Sequence, residues 1–450
     1  MTFVTTPLET ALAAAAAAAR SYGRTTPTER AAMLRSAADA LDAAAAELVP
    51  LAMAESRLAE GRLTGELGRT TFQARLFAER LEQGALLDVH IDPADPDWGM
   101  GPRPDIRRTQ VPIGPVLVFA ASNFPFAFSV FGGDTVSALA AGCPVVVKAH
   151  PGHPELSRRT AALVAPHFPD GVVALIEGEA EGAAAVQDPR IKAVGFTGST
   201  AGGRALFDLA SRRPDPIPFY GELGSTNPVV VTPAGWAARS AEIATGFAGS
   251  VTLGAGQFCT NPGVVLVPDA DAFLEAVPDL SAHAMLNERI ESGYRKSAAE
   301  LAAAVDVARG ELDGGPILFR AAAAEILARP ELLELEVFGP AALIVEYTDV
   351  PEVLRLLDAL EGQLTGTVQG APEDPDAGEV LARLAEHVGR VIWNEWPTGV
   401  TVSDAQQHGG PYPASTAPLT TSVGTAAAAR WLRPVAFQNI PEQHLPTELR

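Results

Sequence analysis

Cysteine is nearly absent. Two residues in 450, Cys143 and Cys259, cannot build a disulfide framework. Basic residues are scarce too: 33 against 54 acidic, a net charge of −21. Such a surface repels phosphate backbones and argues against nucleic acid as a partner, although a local pocket can still carry the opposite sign. No run of about 18 strongly apolar residues occurs, so no membrane span is expected. The alanine run at 11–20 lacks the basic flank of a secretory signal, since Glu9 precedes it and no Lys or Arg does. Alanine is the strongest helix former and only a weak membrane former, so the run reads as a helix of the folded domain. A cytoplasmic protein is expected. There is no internal repeat and no charge block long enough to suggest disorder.

What is present suffices for two or three domains at about 150 residues each. The hydrophobic content of 47% supplies a sizeable core. Residues 7–83 read as helices: apolar residues recur at helical spacing, and "TPTER" offers a Thr cap followed by Pro and Glu. Residues 86–105 turn rich in Pro, Asp and Gly, which fits an extended excursion or hairpin. From 111, "VPIGPVLVFA", "CPVVVKA", "VVALIE", "IKAVGF" and "IPFYGEL" read as strands. Helices at 127–141 and 154–166, a short one, and another from about 200 separate them. Val-rich strands alternating with helices predict a parallel sheet covered on both faces, ending near Glu222. A second series follows, with strands "NPVVVT", "GVVLVP", "AALIVEY", "LTGTVQG" and "RVIWN" and helices at 234–249, 286–304, 350–359 and 377–387. The fold class is α/β with two α/β domains. The tail from about 424 reads as an Ala-rich helix and then the extended "RPVAFQNIP", whose open edge invites pairing with another subunit.

Five stretches carry candidate chemistry. In "LGAGQFCTNPG", Gly254 and Gly256 permit close backbone approach, and the Asn-Pro-Gly turn keeps a regular element from covering Cys259. That suits an exposed nucleophile. A buried structural cysteine fits the same stretch equally well. Cys143 enters a Val-rich strand and reads as structural. In "KAVGFTGSTAGGRAL", Gly195, Gly198 and Ser199 mark a strand-to-helix turn whose N–H groups suit a pyrophosphate. The spacing is not G-x-G-x-x-G, and an ordinary turn remains the better local reading. Glu222 closes an apolar strand, where parallel sheets place ligands and where a base belongs. A helix cap or surface acid is the alternative. Asn123 in "AASNFPF" offers an amide to an oxyanion, or an Asx turn. Glu336 in "ELEVFGP" carries no local signal.

The order and spacing of "SNFPF", "VVVKAHPGHP", "GFTGST", "ELGS", "GQFCT", "EVFGP" and "HGGPYPAST" resemble the NAD(P)-dependent aldehyde dehydrogenase superfamily along nearly the whole chain. The longer segments look more narrowly like α-ketoglutarate-semialdehyde dehydrogenases. The resemblance implies a Rossmann-type cofactor domain (1–87 and 107–222), an α/β catalytic domain (223–423) and a small oligomerisation element (88–106 and 424–450). It implies that Cys259 attacks the aldehyde and that the Asn123 amide and the Cys259 N–H hold the oxyanion. Hydride then passes to the nicotinamide, and Glu222 activates the water that hydrolyses the thioester. On the cofactor side it implies Lys148 and His150 at the adenosine ribose, Ser199, Gly198 and Gly195 at the pyrophosphate, and Glu336 and Phe338 at the nicotinamide end. It implies no metal, a small-molecule aldehyde as substrate, and a homodimer or homotetramer.

Departures from the family pattern sharpen the expectations. Pro151 stands where NAD-preferring relatives carry a glutamate, which removes repulsion against a 2′-phosphate and points to NADP, with NAD as the alternative. Ser122 replaces a common Trp, and Ser225 replaces a glycine. The chain is short around 280–330. Phe126, Phe128, Phe258 and Trp396 are candidates for an apolar tunnel, which would suit medium-chain or aromatic aldehydes in place of 2,5-dioxopentanoate. A coenzyme A-acylating enzyme and an inactive scaffold are the remaining alternatives.

Overall fold

The computed structural model describes residues 6–281 and 283–450. Four helices open the chain: α1 (Leu8–Tyr22), α2 (Pro27–Ala43), α3 (Ala45–Ser56) and α4 (Glu60–Glu82). Thr26 starts α2 with a reciprocal cap. Its Oγ1 accepts from the Glu29 N–H at 3.2 Å, and Glu29 Oε2 accepts from the Thr26 N–H at 2.7 Å. Leu34, Ala38 and Leu41 form the fully buried stripe of α2, which packs with Leu63, Ala74 and Phe77 of α4 in one core.

The Pro/Asp-rich excursion is a hairpin. β1 (His90–Asp92) pairs antiparallel with β2 (Ile106–Pro112). The run at 111–120, expected as one strand, is two: β2 ends at Pro112, the chain turns at Gly114 with φ +116°, and β3 (Val116–Phe119) begins. The helix expected from 127 is α5 (Gly133–Ala141), starting later. A Cβ at Gly132 would sit 2.5 Å from the Ala127 carbonyl oxygen, so the chain folds back there as a turn. β4 (Val145–Lys148), α6 (Pro154–Val164), β5 (Val173–Ile176), α7 (Glu179–Gln187), β6 (Ala193–Thr197), α8 (Thr200–Ser211) and β7 (Phe219–Glu222) complete the first unit. Its sheet is five-stranded and parallel, in the order β5-β4-β3-β6-β7.

The second unit holds β8 (Val229–Val231), α9 (Pro233–Thr252), β9 (Val264–Val267), α10 (Ala270–Ala276), α11 (Glu288–Ala302), β10 (Asp306–Arg309), β11 (Ile317–Ala322), α12 (Ala323–Ala328), β12 (Ala341–Glu346), α13 (Val350–Asp358), β13 (Gln363–Gln369), α14 (Ala377–His387) and β14 (Val388–Trp393). Its seven strands run in the order β10-β11-β12-β9-β8-β13-β14, parallel except for β10 against β11. The Ala-rich tail forms a 3-10 helix at Thr425–Trp431, then β15 (Leu432–Gln438). β15 pairs along its length with β2 of the same chain and is the outer strand of the three-stranded sheet β1-β2-β15. No helix among the described residues is long and apolar enough to cross a membrane.

Candidate active site

In chain order the five-stranded sheet reads 3-2-1-4-5, the doubly wound arrangement. Such sheets bind ligands beyond the carboxyl ends of the strands, where the order reverses. Here that point lies between β3 and β6. Asn123 follows β3, Lys148 ends β4, Gly198 and Ser199 follow β6, and Glu222 ends β7. Four of the anticipated groups therefore reach one rim because four parallel strands end there.

Cys259 reaches the same rim from the second unit. After α9 the chain makes three consecutive left-handed residues, Gly254 (φ +56°), Ala255 (φ +55°) and Gly256 (φ +66°). A Cβ at Gly256 would run into the Gly339 carbonyl, so only glycine fits. Two amides fasten the loop that follows. Asn227 Nδ2 donates to the carbonyls of Cys259 (2.8 Å) and Asn261 (2.9 Å), and Asn123 Nδ2 donates to the Gln257 carbonyl (3.0 Å). Asn227 is itself held by Ser225 Oγ and Thr365 Oγ1, each donating to its Oδ1 at 3.0 Å. The turn after Glu222 thus grips the cysteine loop directly. Cys259 is left half-buried.

Residues 414–416 dock beside β7. The Leu223 N–H donates to the Ala414 carbonyl (2.8 Å) and the Thr416 N–H to the Gly221 carbonyl (3.0 Å). This carries His408 and Ser422 to Glu222. His408 Nε2 lies 3.0 Å from Glu222 Oε1 and 3.6 Å from Cys259 Sγ, while Ser422 Oγ donates to Glu222 Oε2. Burial drives the Glu222 carboxyl upward. The neighbouring His408, with donors from Ser422 and Cys259, more than offsets burial and leaves it below the usual carboxylate value. The Cys259 thiol moves the other way, well above the usual thiol range. Burial is the main cause, joined by the negative charge of Glu222 and Glu336 against a weaker pull from Arg390. The resting pair is therefore a protonated thiol facing an ionised carboxylate. That places an ionised acceptor beside the nucleophile's proton, and the two shifts together make the transfer uphill in the resting site.

A model of the Aldehyde dehydrogenase family matches residues 5–415. The chain belongs to the aldehyde dehydrogenase family. It is 48% identical over 444 residues to alpha-ketoglutaric semialdehyde dehydrogenase 2 of Azospirillum brasilense, covering 94% of this chain and 84% of that protein. It is 42% identical over 450 residues to alpha-ketoglutaric semialdehyde dehydrogenase of Acinetobacter baylyi, covering 95% and 86%. An NAD-dependent aldehyde dehydrogenase from Sinorhizobium meliloti shares the fold with a TM-score of 0.81 at 22% identity, over 98% of this chain and 88% of that one. A 1-pyrroline-5-carboxylate dehydrogenase from Thermus with bound NAD matches at 0.80 and 22%, over 96% and 85%. As an aldehyde dehydrogenase, the protein oxidises an aldehyde to a carboxylic acid with NAD(P) as electron acceptor.

Several residues stand differently from their sequence expectation in this aldehyde dehydrogenase. Gly195 lies in the buried middle of β6, where a Cβ would meet Asp134 Oδ2 at 2.6 Å, so it makes room for packing and does not face the turn. Gly198 and Ser199 do lie at the turn. The Gly198 N–H donates to the Glu222 carbonyl (3.1 Å), and Ser199 Oγ caps α8 by accepting from the Gly202 N–H (3.3 Å). His150 is pulled down to about 3 by burial and by the neighbouring His153, Lys148 and Arg289, so it adds no positive charge at neutral pH. Lys148 supplies the charge at that corner, its ammonium lowered by burial and steadied by Glu179.

Glu336 and Phe338 line a small cleft with Ser225, Thr226, Gly256 and Phe258. A Cβ at Gly224 would lie 2.5 Å from Glu336 Oε2 and 2.9 Å from Thr200 Oγ1. The missing side chain leaves a cradle between the carboxylate and the start of α8. That cradle, the cap of α8 and Lys148 at the end of β4 fit a dinucleotide along the rim. Burial raises Glu336 to about 7, partly countered by the Ser225 N–H.

The expected apolar tunnel is not what these side chains form. Phe126 belongs to the first core, and Trp396 packs on Phe247 with ring centroids 5.7 Å apart. The aromatic group beside Cys259 is Phe124, Phe128 and Phe258, and it carries arginines. Arg62 lies 4.6 Å from the ring centroids of both Phe124 and Phe258, and Arg69 lies 5.5 Å from that of Phe128.

Proposed function

We propose that this aldehyde dehydrogenase acts on an aldehyde bearing a carboxylate at its far end, 2,5-dioxopentanoate, and yields 2-oxoglutarate, with NADP preferred over NAD. The observation that carries the substrate is the arginine pair on the aromatic wall. Arg62 Nη2 donates to the Asn123 carbonyl (2.8 Å), while Arg62 Nη1 and both terminal nitrogens of Arg69 have no hydrogen-bond partner. Guanidinium groups kept out of water beside the nucleophile suit a substrate carboxylate, which they can hold in a bidentate fork. A hexanal or benzaldehyde tail has no use for them. The two relatives at 48% and 42% identity carry the name of this substrate.

The roles follow from the resting pair. Glu222 takes the Cys259 proton, and the thiolate attacks the aldehyde carbon. Asn123 Nδ2 spends one hydrogen on Gln257 and has a second for the oxyanion, joined by the Cys259 N–H. One such donor is worth about 3–4 kcal/mol in the transition state. NAD(P)+, when bound, supplies the two-electron acceptor. Glu222, having passed its proton to solvent, next deprotonates the water that splits the thioester. A hydrolytic base this close to Cys259 weighs against coenzyme A acylation. Lys148, Gly198 and Ser199 hold the adenosine and pyrophosphate side, and Glu336 and Phe338 the nicotinamide side. Pro151 in place of a carboxylate admits the 2′-phosphate. We assign residues 1–87 and 107–222 to cofactor binding, 223–423 to catalysis, and 88–106 with 424–450 to assembly of a homodimer or homotetramer through the outer edge of β15.

Initial rates with 2,5-dioxopentanoate, hexanal and benzaldehyde test the substrate. The reading fails if kcat/KM for either uncharged aldehyde equals or exceeds that for 2,5-dioxopentanoate. An advantage of about tenfold or more for NAD over NADP in kcat/KM rejects the cofactor preference.

A further inference from the structure

Cys259, Glu222 and His408 each offer one donor atom, and these three atoms lie within 4.8 Å of one another. We propose that they form a binding site for a thiophilic divalent cation, zinc above all, which shuts the enzyme off. A zinc ion about 2.3 Å from a thiolate and about 2.05 Å from an imidazole nitrogen, at a tetrahedral angle, sets the two ligand atoms about 3.6 Å apart. Sγ and Nε2 stand 3.6 Å apart before any ion arrives. A carboxylate oxygen in the same shell belongs about 3.3 Å from the nitrogen. Glu222 Oε1 is 3.0 Å away, a slightly closed angle.

The ligands are also held and available. The His408 side chain is fully buried, its backbone N–H donates to Thr421 Oγ1 (2.8 Å), and its carbonyl accepts from the Ser422 N–H (2.8 Å). Ser422 occupies Glu222 Oε2, which leaves Oε1 as the oxygen turned toward His408 Nε2 at 3.0 Å. Half-buried Cys259 gives the opening for entry and for a water as fourth ligand. Binding releases the thiol proton to solvent and forms one Zn–S bond, with no change of oxidation state. The ion takes the nucleophile and the base together, so no partial activity survives it. His408 Nδ1 is buried without a partner, and a ligand histidine lacking that support binds about 10- to 100-fold more weakly. The site is thus that of a reversible inhibitor.

The test uses the whole enzyme, freed of metal and kept reduced under anaerobic conditions, titrated with cobalt(II) as a spectroscopic probe and then with zinc. The expected result is one equivalent of cobalt giving a thiolate-to-metal charge-transfer band and the visible bands of a tetrahedral ion. Zinc displaces it, activity falls in parallel, and a chelator restores activity. Cys259→Ala removes the band, and His408→Phe weakens binding by about tenfold or more. Retained NADP binding by each variant shows that it is folded. Absence of the band in the unaltered enzyme, a band that persists in Cys259→Ala, or unchanged affinity in His408→Phe overturns the proposal. None of these outcomes bears on whether 2,5-dioxopentanoate is the substrate.

Discussion

Glu336 offers the most exacting test of how the cofactor side works. Burial lifts its carboxyl from an ordinary value of 4.5 to about 7. A ribose hydroxyl is a donor, so it binds the ionised carboxylate and not the acid. With a pKa of about 7, about a tenth of molecules are ionised at pH 6, about half at pH 7 and about nine-tenths at pH 8. If only the ionised form grips the ribose, the apparent Kd for NADP falls about tenfold between pH 6 and pH 8, following the competent fraction. Titration of protein fluorescence with NADP across that range measures it. Glu336→Gln keeps shape but not titration, and its Kd should be higher and flat with pH. The same shift has a stability sign. Between pH 4.5 and about 7 the folded state holds a proton that the unfolded chain has released, so this group weakens folding as pH rises. Glu336→Gln should therefore raise Tm at pH 8 while weakening cofactor binding. A Kd for the unaltered enzyme that does not change from pH 6 to pH 8 would refute the reasoning.

Other outcomes are equally specific. Glu222→Gln should still form the acyl-enzyme if another base accepts the thiol proton slowly, giving a burst of at most one NADPH per site. Its steady-state kcat should fall about 10²- to 10⁴-fold, as rapid-quench kinetics would record. Arg69→Met should lower kcat/KM for 2,5-dioxopentanoate by about 10- to 100-fold, since a charge-assisted contact is worth about 1.5–3 kcal/mol, and should affect hexanal far less. Thr26→Ala, which breaks the α2 cap, should cost about 1 kcal/mol in urea unfolding and leave kinetics unchanged.

The groups that could be read from the sequence share one physical property: each sits at the end of a strand or in a loop with a local signature. Glu222 closes β7, Lys148 closes β4, and Gly256 marks a left-handed turn at the door of Cys259. His408 opens the "HGGPYPAST" stretch, but nothing in that stretch says which groups it faces. It lies 149 residues from Cys259 and reaches it only because residues 414–416 dock on the edge of β7, a pairing no local pattern encodes. The arginine pair was hidden for a related reason. Arg62 and Arg69 sit on a helix whose moment fixes its buried face but not what lies across from it. Phe126 and Trp396 lie in cores and not in a tunnel, a difference the sequence does not carry because an aromatic side chain declares burial without declaring core or cleft. β10 and β11 carry a weak sequence signal because β10 exposes Asp306 and Val307, which blurs its alternation, and Gly310, Gly314 and Gly315 break up the join. The Ala-rich helix expected from about 424 is a 3-10 helix at Thr425–Trp431 because Arg430 turns inward to pair with Asp134 at 2.6 Å and Trp431 Nε1 donates to Ser137 at 2.8 Å, contacts that override alanine's propensity.

The two carboxylates of the site should part company in a pH profile. Glu222 is held below the usual range and Glu336 is raised to about 7, although both are buried. The difference is the company each keeps: His408 and Ser422 face Glu222, whereas only a backbone N–H counters burial at Glu336. Glu222 is already ionised through the whole range from pH 6 to pH 8, so the proton transfer from Cys259 should not limit kcat on the acid side. Acid-side losses near pH 7 should appear in KM for NADP and vanish at saturating cofactor. The raised thiol adds a further check. Because Cys259 rests protonated, iodoacetamide at pH 7 and without cofactor should alkylate it more slowly than a free cysteine, and the rate should rise with pH. A fast, pH-independent alkylation would mean a resting thiolate, and with it a protonated Glu222, reversing the assignment of which partner carries the proton.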